Sequence, residues 1–541
     1  MKKIFIIVIG GLVTSLSAIA QETYENARIS DNDLNGTARY VGMGGAMDAL
    51  GADISTMSSN PAGTALFRRS AASVSGGLVM QSGTEKFTEG KKTEMSFDQL
   101  GFVIAKEVSQ NAWLNFGINY HKSKNFNQIL RATGRMADGA SQGRVSYDKG
   151  AYGNVVGLND IHSNPNPNHP LGQEVYSSNP CFNQLDWLYY NSVVYNPVIE
   201  PTAPFVYHGA EAYDFGRSQR GFIAAYDFNV SGNYDDRFYL GLTFGIKDVH
   251  YRNYSEYAEL YGANTPQLGG ILLEDHRKIT GTGYDLTLGL IYRPIDASPF
   301  RIGLSVKTPT FYDLKSKNYT AMLIDISEAN DYYQGPKNGL LDIENTYEYK
   351  IYTPWQFGLS VGHTIGSELA LGASVDYADY RFTNSRIDDF GYDDYYYYDD
   401  ADDGTHSDSE MNHNTKGVMK GTFTFKLGGE YKFTPEVALR LGYNYITPRY
   451  KSSGYKDGML YSPGNNFMST SDYTNWKSTN RITAGLGYSH KKLSVDLAYQ
   501  FSQTDGTFHP FFDALDITNC AEAVKVSNKR HQLLMTVGCR F

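Results

Sequence analysis

Period-two alternation of apolar and small or polar residues recurs along most of this chain, and no other feature restricts its fold as strongly. In Leu493 to Phe501, LSVDLAYQF, the residues Leu493, Val495, Leu497, Tyr499 and Phe501 alternate with Ser494, Asp496, Ala498 and Gln500. A strand sends successive side chains to opposite faces, so one face here is apolar and the other small and polar. Phe238, Leu240, Leu242, Phe244 and Ile246 repeat the pattern against Gly241, Thr243 and Gly245. So do Tyr284, Leu286, Leu288, Leu290 and Tyr292, and again Leu369, Leu371, Ala373, Val375 and Tyr377. A soluble sandwich also alternates. Gly, Ser, Thr and Asp on one face, with Tyr and Phe at the strand ends, is the transmembrane barrel pattern.

Connection lengths separate the two cases. Strands are expected near 70–80, 98–107, 111–121, 219–231, 236–250, 280–293, 299–308, 346–362, 367–382, 416–432, 436–447, 479–489, 493–503 and 528–541. That is about fourteen, an even number as bacterial barrels require. Short connections such as Val108-Ser109-Gln110, Thr434-Pro435 and His490-Lys491-Lys492 alternate with long ones over 81–97, 122–218, 251–279, 309–345, 383–415, 448–478 and 504–527. Short turns on one side and long loops on the other is the outer-membrane plan. The expected fold is therefore all-β, a transmembrane antiparallel β-barrel of about fourteen strands. At the C-terminus, Leu533, Met535, Val537, Cys539 and Phe541 share one strand face. Outer-membrane barrels commonly end in such a strand with a terminal Phe, and this chain resembles them there.

Composition excludes competing classes. The chain has 541 residues, 48 Lys+Arg against 58 Asp+Glu, and a net charge of -10, too acidic for a protein that works by neutralising nucleic-acid phosphates. A mean hydropathy of -0.41 is too polar for a helical membrane bundle. Three cysteines make no disulfide scaffold. The counts of 54 Gly and 43 Tyr suit strands joined by many turns.

Residues 1–20 read as a secretory signal. Lys2 and Lys3 precede an apolar run from Ile4 to Leu16, and Ala18-Ile19-Ala20 supplies a small-x-small cleavage site. The run is short for a membrane-spanning anchor of roughly 20 residues, and no Cys follows for lipid attachment.

Residues 21–69 break the strand rhythm and read as a compact plug of short helices and turns. Gly36 to Arg68, GTARYVGMGGAMDALGADISTMSSNPAGTALFR, is rich in Gly and Ala and is interrupted at Asn60-Pro61-Ala62. Gly42, Gly44 and Gly45 permit close backbone approach, and Pro61 ends any helix there. Without a preceding strand these glycines are not a dinucleotide loop. The segment, through Arg39, Gly42, Gly44-Gly45-Ala46, Asp53 and Asn60-Pro61-Ala62, resembles the N-terminal hatch of the FadL family. That family comprises outer-membrane transporters of long-chain fatty acids and other hydrophobic compounds, and its Bacteroidetes branch is often labelled hemin receptor. The resemblance implies a fourteen-stranded barrel over 70–541 with long extracellular loops, plugged by 21–69, in the outer membrane of a Gram-negative bacterium. It further implies passive transport without nucleotide or cofactor: capture by extracellular loops, an internal apolar pocket, rearrangement of the hatch, and lateral exit through a gap in the wall. Asn60, Pro61 and Ala62 would belong to the gate; as a turn signal alone they equally cap a helix before the first strand.

Other candidate sites follow from local chemistry. Gly117, inside the strand Ala112 to Tyr120, is the candidate for a wall kink, since Gly in a strand often marks a bulge. Trp187, Leu188, Tyr189 and Tyr190 lie in an apolar aromatic stretch of the longest loop. Exposed, they would suit ligand capture; buried, they would be a loop core over the barrel mouth. His162 and His169 lack partners at metal-ligand spacing, so neither metal nor haem is derived from them. The acidic run 388–403 has no calcium-loop pattern. Cys181 and Cys520 both fall in expected extracellular loops, whereas Cys539 is expected on the lipid face.

No nucleophile, zinc-protease or phosphate-loop motif is present, so no enzyme is expected. The expected partners are a hydrophobic small-molecule ligand together with outer-membrane lipid and lipopolysaccharide, and no nucleic acid. The competing reading is a non-transport scaffold, a barrel that binds partners in secretion or surface-protein assembly. An apolar lumen pocket would favour transport, and a polar, filled lumen the scaffold.

Overall fold

The computed structural model describes residues 22–88, 90–152, 182–194, 206–262, 268–326, 340–388 and 405–541. Fourteen antiparallel strands close into one barrel. They are β1 (Ala71–Ser82), β2 (Thr93–Ser109), β3 (Ala112–Asn125, resuming at Gln128–Arg135), β4 (Ala212–Tyr234), β5 (Phe238–Leu260) and β6 (Leu268–Tyr292). Next come β7 (Arg301–Lys307 and Phe311–Ile326), β8 (Leu340–Tyr352 and Gln356–Ile365) and β9 (Leu369–Asp379). The last five are β10 (Gly421–Lys432), β11 (Val437–Ile446), β12 (Tyr473–His490), β13 (Leu493–His509) and β14 (Val524–Arg540). The barrel closes where β1 pairs with β14, from Ala71↔Arg540 to Ser82↔Lys529.

The alternation read from the sequence sorts inside from outside. Leu493, Val495, Leu497 and Tyr499 are exposed on β13, whereas Asp496, Ala498 and Gln500 are buried. On β5, Phe238, Leu240, Leu242 and Phe244 are exposed. On β14, Leu533, Met535 and Val537 face out, with Phe541 at the rim. Leaving such a girdle in water would cost about 1.5–3 kcal/mol per large side chain, so the surface requires a lipid solvent. On β5 the apolar band from Phe238 to Ile246 spans roughly 20–25 Å at ordinary rise and tilt, the height of an outer-membrane girdle. No helix among the described residues is long and apolar enough to cross a membrane.

Strands β4 to β8 run well past this band. On β5 the outward residues become Asp248, His250, Arg252 and Glu256, so the sheet continues into water beyond the girdle. The sequence-based boundaries stop short there because the pattern loses its apolar face: most of 251–279 and 309–326 is strand and not loop. Conversely, the expected strand start at 416 belongs to a loop helix over Ser409–Val418.

β7 and β8 are each interrupted at the same height, by Pro309 and Pro354. Neither proline can donate to the ladder, and threonines repair it. Thr310 N–H donates to Thr353 Oγ1 at 2.8 Å, and Thr353 N–H to Thr310 O at 3.1 Å. The neighbouring β9 ends at this level in a single tight turn, Tyr380–Phe382.

Candidate functional site: the lumen and the segment within it

Residues 22–69 pack against the inward faces of the strands, and glycine governs where they touch. Helix α1 (Thr23–Ile29) lies at the long-loop end. Helix α2 (Ala38–Gly42) and two short 3-10 turns, Ile54–Ser58 and Pro61–Leu66, lie nearer the short-turn end. Thr37 caps α2 by accepting Tyr40 N–H at 3.1 Å. Past the helix, Gly44 (φ +64°) and Gly45 (φ +79°) take left-handed conformations that suit glycine. The wall opposite is also glycine. A Cβ at Gly442 would lie 2.2 Å from Gly44 N, one at Gly428 2.2 Å from Met43 O, and one at Gly372 2.0 Å from Ala46 O. Gly42 itself faces Gly485. Backbone thus lies directly on backbone.

A second glycine pad receives Asn60, Pro61 and Ala62. A Cβ at Gly241 would meet Pro61 C at 2.3 Å, one at Gly289 would meet Asn60 Oδ1 at 2.2 Å, and one at Gly303 would meet Asn60 Nδ2 at 2.9 Å. Asn60 also caps the second 3-10 turn, its Oδ1 accepting Ala62 N–H at 3.2 Å. Local capping and close apposition to the wall therefore coexist in the same residue.

Gly117 does not kink the wall. It stands in unbroken register with Val103 on β2 and Asn229 on β4. Its lack of a side chain admits Met57, whose Cε would lie 2.1 Å from an added Cβ. The nearby bulges are at Asp98 on β2 and Ser123 on β3, the residues skipped where the register shifts. Both meet the inner segment. Asp33 N–H donates to Ser123 O at 2.7 Å, and Asn35 Nδ2 donates to Asp98 Oδ1 at 2.9 Å and to Lys122 O at 3.1 Å.

Ion pairs supply further contacts. Arg39 binds Glu430 through two nitrogens at 2.9 and 3.0 Å. Glu430 also accepts from Arg440 at 2.6 Å, and Arg440 donates to Asp496 at 2.6 Å. Lys426 sits 3.2 Å from Asp48 and 2.6 Å from Asp376. Asp31 pairs with Lys124 at 2.5 Å and Arg449 at 2.6 Å. Asp33 lies 3.4 Å from Lys124, 3.6 Å from Arg481 and 3.4 Å from Arg530. Burial alone would raise the Asp31 carboxyl; Arg449 and Lys124 overcome it and hold the group below its ordinary value. Asp33 is lowered in the same way by Lys124, Arg530 and Arg481.

At the long-loop end, Tyr24 stacks on Tyr450 with centroids 5.2 Å apart, and Thr23 Oγ1 lies 2.9 Å from Thr415 Oγ1. Glu25 pairs with Arg277; burial raises its carboxyl, but Arg277, Arg28 and Lys456 bring it down to about 2. Above this lies the aromatic stretch singled out in the sequence. It is buried, not exposed: Leu188, Tyr189 and Tyr190 are at most 2% accessible, and Trp187 packs against them. The helix Gln184–Tyr189 is held by a capping box of Asn183 and Asp186. Asp186 also accepts from Ser146 at 2.7 Å and pairs with Lys149 on the helix Gln142–Tyr152. These side chains form a core with Phe215, Tyr257, Ile271 and Met322 of the strand walls.

Among the described residues, two cavities lie in the lumen beside this segment. One cavity of about 190 Å³ is bounded by Asp31, Asp33, His121, Lys307, Lys426 and Arg481. A second, of about 170 Å³, is bounded by Arg28, Lys124, Phe126, Tyr450, Trp476 and Arg530. Asp31, Asp33, Ile446, Arg449 and Arg481 line both.

No protein-family model and no curated protein matches the sequence. Solved structures do. A Pseudomonas aeruginosa FadL homologue aligns at 12% identity over 94% of this chain and 99% of its own, with a TM-score of 0.50. This chain has the fold of a FadL homologue. Two toluene transporters, Ralstonia pickettii TbuX (13% identity, TM-score 0.48) and Pseudomonas putida TodX (11%, 0.46), align over 94% of this chain and 99% of theirs.

In this FadL-type barrel the sequence led to Gly42, Gly44, Gly45, Asn60, Pro61 and Ala62, all of which lie at the two pads. It missed the wall glycines and the inward charges that face them. A signal for the charges was present: Asp496, Arg440, Glu430 and Lys426 occupy inward positions of strands whose outward positions are apolar. Cys520 is exposed and Cys539 half-buried, and among the described residues neither has a disulfide partner. Cys181, His162, His169, the signal segment and all but Asp388 of the acidic run lie outside the described residues. Among the described residues no group of three or more His, Cys, Asp or Glu is placed to hold a metal ion.

Proposed function

We propose that this protein is a passive outer-membrane conduit for hydrophobic or amphipathic small molecules, long-chain fatty acids or similar, with residues 22–69 as its hatch. One observation carries the reading. The bore is filled by a single chain segment laid backbone-to-backbone on glycine pads, while the wall's own inward side chains leave room for it. From Leu34 onward such a segment can shift without unpacking a large apolar core, since the buried apolar clusters there hold only a few side chains each. The apolar girdle places the cylinder in lipid, and a protein in that place helps a hydrophobic solute chiefly by carrying it past the polar sugar layer. That the FadL homologue shares the fold agrees with this reading.

The test is uptake of labelled oleate by cells that carry the gene, lack it, or carry a deletion of Gly42 to Ala62. Uptake that depends on the gene and rises on deletion of the hatch supports transport; equal uptake in all three defeats the fatty-acid version.

A specific observation favours the alternative, a partner-binding scaffold. Ion pairs line the lumen, and the two cavities described above fall below the roughly 300–1,000 Å³ of ordinary ligand pockets. Mass analysis of protein purified in mild detergent separates the two: co-purifying amphiphile supports the conduit, and co-purifying protein without lipid supports the scaffold.

A further inference from the structure

Outside the barrel, past the girdle on the side of the long loops, cations stand directly opposite one another. Arg252 on β5 faces Lys278 on β6 across the ladder, and Lys278 in turn faces Lys317 on β7. Arg220 on β4 continues the row beside Arg252. Arg252, Lys278 and Lys317 are all exposed. Like charges directly opposite on a sheet, with Cβ atoms about 4.5–5.5 Å apart, destabilise it. One row nearer the girdle the wall avoids this: Lys315 lies 2.6 Å from Glu348, and His250 3.0 Å from Asp248. Among the described residues no carboxylate pairs with Arg252, Lys278 or Lys317.

Height decides which anion can reach this row. On these strands the outermost row of the apolar girdle is Ile246, Tyr284 and Phe311, opposite one another in turn. The cations come six positions further along each strand, about 15 Å higher at ordinary rise and tilt. The head groups of a phospholipid layer extend only roughly 5–8 Å past its hydrocarbon. The row therefore stands above phospholipid phosphate, at the level of the sugars that a glycolipid leaflet carries.

Aromatic rings lie one row further out. Tyr254, His276 and Tyr319 are again opposite one another, with ring centroids 4.5 Å and 6.0 Å apart. Tyr254 donates to Glu256 at 2.6 Å and Tyr319 to Asp342 at 3.2 Å, so both phenols are tethered at their edges. An aromatic face packs on the C–H face of a sugar ring, and Arg and Lys form charge-assisted hydrogen bonds to phosphate and carboxylate. A row of cations under a row of rings is a surface for acidic sugars.

We propose that Arg252, Lys278 and Lys317, with Tyr254, His276 and Tyr319, bind the acidic inner sugars of lipopolysaccharide on the outer wall of the barrel. The inference does not depend on what passes through the bore, and it holds for conduit and scaffold alike.

The test titrates full-length protein in non-ionic detergent with deep-rough lipopolysaccharide (lipid A bearing its acidic inner sugars), with lipid A alone and with phosphatidylglycerol, and counts bound molecules by native mass spectrometry. Arg252→Gln/Lys278→Gln/Lys317→Gln should bind deep-rough lipopolysaccharide at least about tenfold more weakly than the natural protein, with lipid A and phosphatidylglycerol unchanged. Because the triple variant loses only repulsion within the wall, its unfolding midpoint without lipopolysaccharide should equal or exceed that of the natural protein. Added lipopolysaccharide should raise the midpoint of the natural protein by several degrees and leave that of the variant in place. Tyr319→Ala should weaken binding several-fold while keeping its salt dependence, whereas the triple variant should lose most of that dependence. Equal lipopolysaccharide affinity in the natural protein and the triple variant overturns the site. So does an equal loss of lipid A or phosphatidylglycerol binding, which would assign the row to head groups. An acidic protein that co-purifies with the natural chain and not with the variant, while lipopolysaccharide binds both alike, overturns it in favour of a protein partner.

Discussion

Gly289 shows how much an absent side chain can decide. A Cβ there would press on Asn60 Oδ1 at 2.2 Å and on Ala62 N at 2.8 Å. Overpacking of this kind costs about 1–3 kcal/mol, and the lightly held inner segment yields before the hydrogen-bonded wall. Gly289→Val should raise conductance in planar bilayers several-fold. Gly417→Ala, where an added Cβ meets nothing within 4 Å, should leave it unchanged. A different residue-scale effect sits among the loops. Burial and the neighbouring Asp513 raise the Asp148 carboxyl to about 6, with Arg144 opposing and Asp516 adding to the rise. A carboxyl raised above its unfolded value of 3.8 stabilises the fold below that value, and the contribution is lost as pH rises through about 6. Proteolysis of the loop around Gln142–Tyr152 should therefore be faster at about pH 7.5 than at about pH 5, and Asp148→Asn should abolish the difference.

At the scale of elements, the helix Gln184–Tyr189 is the keystone of the loop core, and Leu188 is fully buried within it. Leu188→Ala should cost about 2–5 kcal/mol locally. It should appear as faster cleavage of the long loops with no change in the heat-modified gel shift of the barrel. These elements also show what a sequence can and cannot tell. Strands inside the girdle were legible because lipid on one side and a polar bore on the other impose a strict alternation, as in Leu493 to Phe501. Beyond the girdle both faces meet water or polar packing, and the outer part of β5 lost its signature. Gly117 misled because a glycine that admits a neighbour's side chain looks, in sequence, like one that bends a strand; only the position of Met57 distinguishes them. Trp187 to Tyr190 had two readings for a similar reason, since aromatic content does not say which side of a loop faces out. The pads at Gly42–Gly45 and Asn60–Ala62 were half legible: their own glycines and proline stood out, but the matching wall glycines are scattered over 241 to 485.

For the whole molecule, charge as well as apolar contact holds the inner segment. Asp31 and Asp33 titrate below the ordinary value, and Glu25 falls to about 2. A depressed carboxylate stabilises the folded state fully above its unfolded value, 3.8 for Asp and 4.5 for Glu, and that contribution fades as pH falls toward the folded value. Conductance should thus stay flat from about pH 7 to 5 and climb between about pH 4 and 2, whereas Asp31→Asn/Asp33→Asn should leak already at neutral pH. The seam between β1 and β14 gives the architecture one more consequence. Residue 22 sits among the long loops, yet β1 begins at the opposite rim, where Phe541 N–H bonds Ser70 O at 2.9 Å. Residues 22–69 are thus enclosed by strands made after them. Assembly has to lay residues 22–69 in place before the final strand zips shut, so a bulky fusion ahead of residue 22 should stall maturation, while one on an outer loop should pass.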